Sequence, residues 1–229
     1  MLLWQKTLSN RSILWAGISG FYVYLTLFFT FSMLPVLPML VLWTILDHLF
    51  YQKNKRYKDT IWLLMALVAG VGLGYLVLYF GLNFDFILRY QNAFSRHHFH
   101  KNYESGLGYI LNAVFLNTVE LAAWSGFAFF TLFIVRIIRS LPALFKSQKG
   151  RMDGLVLSFT GMVGALNLFG QTRSEVGRLW LFLLPVMVIF GADEAARLFK
   201  KKWMGILFLV IIQLVTVFLT FKFQDSINR

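Results

Sequence analysis

Long apolar stretches are the feature that most constrains the fold of this chain. From Ser12 to Tyr51 the sequence is almost entirely apolar, and further apolar stretches follow between short polar connections. A helix needs about 20 mostly apolar residues to cross the hydrocarbon core of a membrane. Of the 229 residues, 58% are hydrophobic and only 14% are charged, whereas about 25% of residues are charged in soluble globular domains. The sequence therefore predicts an integral membrane protein.

The order of these stretches predicts an all-α, polytopic transmembrane helical bundle with about seven spans and one interfacial helix. Pro35 and Pro38 interrupt the first stretch. Because proline removes a backbone donor and fixes φ, two helices should meet there in a tight turn. Little length remains for a soluble domain, so we expect a single transmembrane domain over residues 1–229. The predicted spans are roughly 12–33, 36–51, 60–82, 108–138, 154–169, 179–196 and 204–221, with the interfacial helix at the start of the fourth.

The third predicted span contains the glycine-rich segment GVGLG. Gly70 and Gly74 have the small-xxx-small spacing that lets two membrane helices approach closely. A glycine loop that binds a nucleotide is the alternative, but no strand precedes this segment and its flanks are wholly apolar. We therefore expect these glycines to pack against another helix.

The basic residues predict how the chain is oriented. The net charge is +12, but the Lys and Arg residues lie in short connections between apolar stretches, which favours orientation in a membrane over binding of nucleic acid. One side, formed by the N-terminus and every second connection, receives about two thirds of the 22 Lys and Arg residues and is predicted to be cytoplasmic. The C-terminus is then outside. Helical spans favour a bacterial inner (plasma) membrane, since outer-membrane proteins are barrels.

A charged cluster lies in NLFGQTRSEVGRLWLFLLP, at the predicted outer end of the sixth span. Arg173, Glu175 and Arg178 occur within six residues, directly before an apolar stretch. An arginine fork suits a phosphate, and the carboxylate can hold an arginine or contact a hydroxyl. The alternative is structural, since Glu175 and Arg178 can pair on a helix surface and arginines at span ends often extend to the interface. The cluster is the first candidate for binding a lipid phosphate.

A second candidate is the histidine-rich outer connection. His97, His98 and His100 are flanked by basic residues, but no helical i, i+4 pair or adjacent carboxylate completes a metal site. We expect no metal, and we favour a cationic surface for phosphate at His97 and His98 or a solvated loop. Asp85 and Glu104 are the acids of this connection. Either is a formal candidate for a general base.

Other polar residues lie near the ends of predicted spans. Asn112, Asn117 and Glu120 fall loosely on one side of the helix at 108–121, which favours an amphipathic helix lying in the headgroups over a buried functional carboxylate. A solvated role is expected for four residues at predicted cytoplasmic ends of spans: Asp47, His48, Asp193 and Glu194.

Two segments resemble the GT-C type of bacterial membrane glycosyltransferase. In TRSEVGRLWLFLLP, an acid and an arginine precede a tryptophan-containing span that ends near a proline, and Glu175, Arg178, Trp180 and Pro185 carry the match. The stretch from HHFHKNY to GYILNAVFLNTVELAAWSGF is similar to that family's outer loop with histidine, interfacial helix with asparagine and glycine-marked span. Together the two segments cover roughly the last 150 residues.

The resemblance implies a membrane protein that handles a polyprenyl-phosphate-linked sugar at the outer face, without a cofactor. Arg178 would contact the donor phosphate, which is the leaving group, and Glu175 would orient Arg178. Enzymes of this type place a catalytic aspartate in the first outer loop, whereas the corresponding MLPVLP turn has no acid. The chain is thus similar to the C-terminal half of such an enzyme and is expected to be incomplete for catalysis. No catalytic residue is assigned, and Asp85 could substitute for the missing aspartate only if the fold brought it beside the donor.

Two other function classes remain open at this point. One is a non-catalytic lipid-binding or structural membrane subunit that pairs with a separate catalytic chain. The other is a transporter, which ranks last because the sequence has no convincing internal repeat and its charges cluster at span ends rather than at the membrane midplane. The expected partners are membrane lipid and a polyprenyl-phosphate-linked sugar, and no nucleic acid.

Overall fold

The computed structural model describes residues 1–51, 57–101, 106–144, 151–168, 181–199 and 202–227. Within these ranges the chain forms α-helices and short 3-10 turns, and no strand is present. The prediction of an all-α fold is therefore confirmed for the described residues. The helices are α1 (Leu2–Asn10), α2 (Ile13–Phe29), α3 (Val36–Tyr51), α4 (Tyr57–Leu82), α5 (Phe86–Lys101), α6 (Leu107–Ser125), α7 (Phe127–Ser140), α8 (Arg151–Leu168), α9 (Leu184–Leu198) and α10 (Lys202–Ile227).

Several of these helices have the character of membrane spans. Three segments are long and apolar enough to cross a membrane, namely Phe31–Leu49, Tyr57–Leu82 and Leu107–Ser125. Shorter apolar helices occupy Ile13–Phe29, Met152–Leu168 and Trp203–Phe218. The helices fit an integral membrane protein, while the count of about seven spans stays a prediction.

The fourth predicted span differs from expectation, because residues 108–138 form two helices rather than one. Gly126 separates α6 from α7 and has a φ of 82°, a left-handed conformation that ends a helix and favours glycine. Its N–H donates to the carbonyl oxygen of Ala123 at 3.3 Å. The first of the two helices, α6, was expected to be interfacial but is itself long and apolar enough to span.

The chain divides into two compact units. The first unit comprises Met1–Glu104 with Ser147–Met162, and the second comprises Ser105–Lys146 with Val163–Arg229. Each unit brings together helices that are distant in sequence, so each has packing of its own.

Close packing of α2 against α4 dominates the first unit. A Cβ atom added to Gly70 would overlap the backbone oxygen of Gly17, and one added to Gly20 would overlap the backbone oxygen of Leu67. Gly74 lies against the ring of Tyr24. Residues later in α2 contact residues later in α4, so the two helices run parallel. The prediction that Gly70 and Gly74 mediate helix packing is confirmed.

The predicted proline turn is also present in the first unit. Helix α2 ends at Phe29, a 3-10 turn covers Phe31–Met33, and α3 starts at Val36 directly after Pro35. Beside this turn a cluster of buried side chains closes the end of the unit, with Phe28 and Phe84 rings 4.7 Å apart between centroids. Pro38 lies in the first turn of α3, where its missing N–H breaks no helical hydrogen bond.

Helices α7 and α9 form the centre of the second unit. The rings of Phe133 and Phe190 stack with centroids 6.0 Å apart, and Gly191 lies against the side chains of Phe129 and Leu132. Residues later in α7 contact residues later in α9, so these two helices are parallel. Helix α10 contributes Leu209 to the same core.

Candidate functional site

The predicted outer cluster, Arg173, Glu175 and Arg178, lies outside the described residues. The described chain stops before the cluster at Leu168 and continues after it at Leu181. A 3-10 turn at Leu181–Leu183 leads into α9, and Pro185 occupies the first turn of that helix, where its fixed φ is favourable. The cluster therefore precedes the N-terminal end of α9 in the sequence by only a few residues.

The histidines fall within α5, a helix that the sequence analysis did not predict. His97 and His98 occupy its last turns, and their side chains, like that of His100, lie outside the part of the chain that the structure describes. Elsewhere in the described ranges, no three His, Asp or Glu side chains are close enough together to hold a metal ion. The proposed contact of His97 and His98 with phosphate thus stays a prediction.

Asp85 caps the N-terminal end of α5. Its Oδ1 atom accepts a hydrogen bond from the backbone N–H of Leu88 at 3.1 Å, and its carbonyl oxygen accepts from the N–H of Arg89 at 3.2 Å. An aspartate at this position satisfies a helix N–H that has no partner within the helix. This contact gives Asp85 a structural role, which is separate from the role of general base considered from the sequence.

The polar residues of α6 do not form one solvent-facing surface. Asn117 is fully buried, Glu120 is half-buried and Asn112 is exposed. The expectation of an amphipathic helix with all three residues in the headgroups is therefore wrong.

A cluster of charges joins the C-terminal ends of α7 and α9. We name it the α7–α9 ion cluster. The Nε atom of Arg136 lies 3.2 Å from Oδ2 of Asp193, and its Nη1 atom donates to Oγ of Ser140 at 2.8 Å. The side chain of Arg136 is almost fully buried. Since a buried guanidinium is stable only when paired, this pairing fixes the positions of the two helix ends.

The remaining members of the α7–α9 ion cluster are two arginines at its edge and a buried acid. Nη2 of Arg139 lies 2.8 Å from Oε1 of Glu194, whose side chain is fully buried. Nη2 of Arg197 lies 3.1 Å from Oδ2 of Asp193, one helical turn earlier in α9. Among the described residues, three arginines thus face two carboxylates, so the formal charges of these five side chains sum to a positive value.

A second group of polar side chains joins three helix ends in the first unit. Arg11, between α1 and α2, forms an ion pair with the buried carboxylate of Asp47 near the end of α3. The neighbouring His48 contacts Oγ1 of Thr60, in the first turn of α4, through Nδ1 at 2.9 Å. Its ring also packs on Tyr57, with centroids 4.4 Å apart. The start of α2, the end of α3 and the start of α4 therefore lie on one side of the unit.

The expectation that Asp47, His48, Asp193 and Glu194 are solvated is wrong. The side chains of Asp47, His48 and Glu194 are buried, and that of Asp193 is half-buried. Their partners are distant in sequence, at separations of 36 residues for Arg11 with Asp47 and 57 for Arg136 with Asp193. A charge near a span end does not by itself reveal a partner on another helix. These contacts hold helices together, and each of the three carboxylates lies against an arginine.

Comparison with known proteins gives no match, whether against protein-family models, curated proteins or solved structures.

Proposed function

We propose that this chain is a membrane glycosyltransferase-like protein of the GT-C type, which handles a polyprenyl-phosphate-linked sugar at the outer face of a bacterial inner membrane. The phosphate would be held by Arg173 and Arg178, with Glu175 orienting Arg178, and His97 and His98 are a separate candidate for contacting a phosphate. The resemblance of TRSEVGRLWLFLLP to that family motivates the proposal, and the second unit offers one supporting observation.

That observation is an apolar groove beside α9. The groove has a volume of about 380 Å³ and is lined by α7, α9 and α10. Gln213 is the polar residue of a lining that is otherwise hydrocarbon and includes Val188 and Ala192 of α9. An isoprenoid chain needs such a surface, since it offers no polar group for hydrogen bonding. Val188 lies about one turn inside the helix that follows the arginine cluster in the sequence, which supports a single lipid with its phosphate at the cluster and its chain along α9.

The ion pairs support the proposed sidedness. Asp193 and Glu194 are held at the C-terminal end of α9, next to the end of α7. The basic residues of the sequence predict that this side is cytoplasmic. The arginine cluster precedes the opposite, N-terminal end of α9, which agrees with an outer-face phosphate site.

In the proposed reaction the bond between the sugar C1 and the donor phosphate oxygen breaks, and an acceptor hydroxyl oxygen bonds to C1. Polyprenyl phosphate leaves with the bonding electrons, and a base takes the hydroxyl proton. Arg178 would stabilise the negative charge that grows on the leaving phosphate, because fixed cations act most strongly where charge develops. The base is unassigned, and a separate catalytic chain is the expected source if Asp85 serves only as a cap.

A second candidate function is a non-catalytic lipid-binding or structural subunit. The observation that favours it is the engagement of acids in structural contacts, with Asp47, Asp193 and Glu194 each in an ion pair and Asp85 in a helix cap. Incubation of the purified protein with a polyprenyl-phosphate sugar separates the two functions. Binding without release of polyprenyl phosphate favours the subunit.

Binding of a polyprenyl phosphate analogue to purified variants tests the lipid site. Arg178→Ala should abolish binding while the protein stays folded, and Glu175→Gln should weaken binding less. Ala192→Phe should reduce binding by filling the groove, whereas Ala196→Phe, on an exposed position of the same helix outside the groove, should not. Unchanged binding by Arg178→Ala removes the proposed role of the cluster.

A further inference from the structure

A larger apolar groove lies in the first unit, between the N-terminal halves of α2 and α4. Its volume is about 810 Å³, and its lining is almost entirely hydrocarbon. Gly17 and Gly70 form part of its floor, because neither carries a side chain and the two backbones meet there. Exposed side chains such as Leu14, Trp62 and Leu73 form its walls.

The dimensions of this groove suit one lipid chain. Its lining runs from Ile13 to Tyr22 along α2, which corresponds to about 14 Å at 1.5 Å per residue. The hydrocarbon core of a bilayer is about 30 Å thick, so one leaflet contributes about 15 Å. The groove therefore matches the depth of a single leaflet.

Helical spacing extends the α4 face of the groove to a cation, Lys58, near the start of the helix. Lys58 precedes Trp62 by four residues, so both residues lie on the same face of α4. The side chain of Lys58 is exposed and forms no ion pair with a carboxylate of the described ranges. The N-terminal end of a helix also attracts anions. In the sequence, Lys53, Lys55 and Arg56 come just before Lys58, so the basic residues of this juxtamembrane stretch outnumber its acid, Asp59.

We propose that this groove binds an anionic phospholipid, with one acyl chain between α2 and α4 and the headgroup phosphate at Lys58. Charge complementarity favours a lipid over a second copy of this chain, because the groove joins an apolar channel to a cationic end, as a phospholipid joins an acyl chain to a phosphate. The basic residues predict that this end is cytoplasmic. The site is therefore distinct from the proposed polyprenyl phosphate site. Failure of either proposal leaves the other unaffected.

The test uses the full chain reconstituted in vesicles of equal parts phosphatidylglycerol and phosphatidylcholine, followed by extraction and native mass spectrometry of retained lipid. Wild-type protein should retain phosphatidylglycerol in preference to phosphatidylcholine. Lys58→Gln should lower that preference about fivefold, the effect of losing one interfacial cation. Lys58→Arg keeps the charge and should keep the preference.

A matched pair of variants tests the groove itself. Ala69→Phe fills the groove from its exposed wall and should reduce retention of both lipids. Val68→Phe adds the same ring one residue earlier, at an exposed position outside the groove, and should leave retention unchanged. Equal retention by the two variants, or equal retention of the two lipids by wild type, overturns the proposal. If the wild-type protein forms a dimer and Ala69→Phe does not, the proposal is also overturned, because a second copy of the chain would then occupy the groove.

Discussion

Arg139 and Glu194 form an ion pair of unequal exposure, in which an arginine that is 44% exposed holds a carboxylate that is fully buried, at 2.8 Å. The pair joins α7 to α9 in the second unit. Arg197 is similarly exposed, at 45%, but its partner Asp193 is 28% exposed. The two arginines thus differ mainly in the burial of the acid that each neutralises.

This difference predicts unequal effects of removing the two arginines. Arg139→Met leaves a buried carboxylate without its cation and should lower the free energy of unfolding by about 3 kcal/mol. Arg197→Met removes a half-exposed pair and should cost less than about 1 kcal/mol. Denaturant unfolding in detergent micelles measures both values. Adding Glu194→Gln to Arg139→Met should recover part of the loss, and equal effects of the two single substitutions contradict the assigned burial.

The glycine contact between α2 and α4 predicts a position-specific effect. Gly70→Ala places a methyl group against the backbone of Gly17, so it should destabilise the protein by roughly 1 to 3 kcal/mol. Gly72→Ala is the control, because a Cβ atom there meets no atom within 4 Å. Its stability should be unchanged or slightly higher, since alanine favours a helix.

Thermal unfolding of both variants in one detergent gives the comparison. A Gly70→Ala protein as stable as Gly72→Ala contradicts the close approach of the two helices.

Some features of the molecule follow directly from the sequence. The apolar stretches predict the helices, Pro35 predicts the break between α2 and α3, and the spacing of Gly70 and Gly74 predicts close packing. Each of these is a local pattern, set by the residues of one segment. The partner of the glycines is not local, and Gly17 and Gly20 were not identified as that partner.

The ion pairs could not be predicted for the same reason. Asp47 and Glu194 lie near span ends, where an acid is usually solvated, and only the packing of distant helices brings Arg11 and Arg139 to them. Helix α5 was missed because its residues are polar on average, which is typical of a connection between spans. A single sequence indicates the character of each segment, but it does not indicate which segments pack against one another.

The break between α6 and α7 predicts a requirement for glycine at position 126. Gly126→Ala should destabilise the protein by at least about 1 kcal/mol, because the residue has a left-handed φ of 82°. A Cβ atom there would also overlap the side chain of Gln213. The double variant with Gln213→Ala should recover the steric part of the loss and keep the backbone strain.

Unfolding free energies of the single and double variants, measured together, separate the two contributions. Gly108→Ala, at a position with open space around it, is the control. If Gly126→Ala has the same unfolding free energy as the wild-type protein, the conformation assigned to the break between α6 and α7 is wrong.

The cap at the start of α5 predicts how two substitutions of Asp85 differ. Asp85→Ala removes the acceptor for the N–H of Leu88 and should lower stability by about 1 kcal/mol. Asp85→Asn keeps a side-chain oxygen that caps a helix well and should be nearly as stable as wild type. Thermal unfolding checks both variants. If Asp85→Asn is as unstable as Asp85→Ala, the capping role is wrong.

The central claim is that residues 173–178 face the exterior while the connection after α9 faces the cytoplasm. The chain contains no Cys, so single-cysteine variants can be labelled without background. Ser174→Cys and Lys201→Cys, expressed separately in intact cells, should respond differently to a membrane-impermeant maleimide. We expect Ser174→Cys to be labelled from outside and Lys201→Cys to be labelled only after the membrane is permeabilised. Labelling of Lys201→Cys in intact cells, with Ser174→Cys protected, would contradict this orientation.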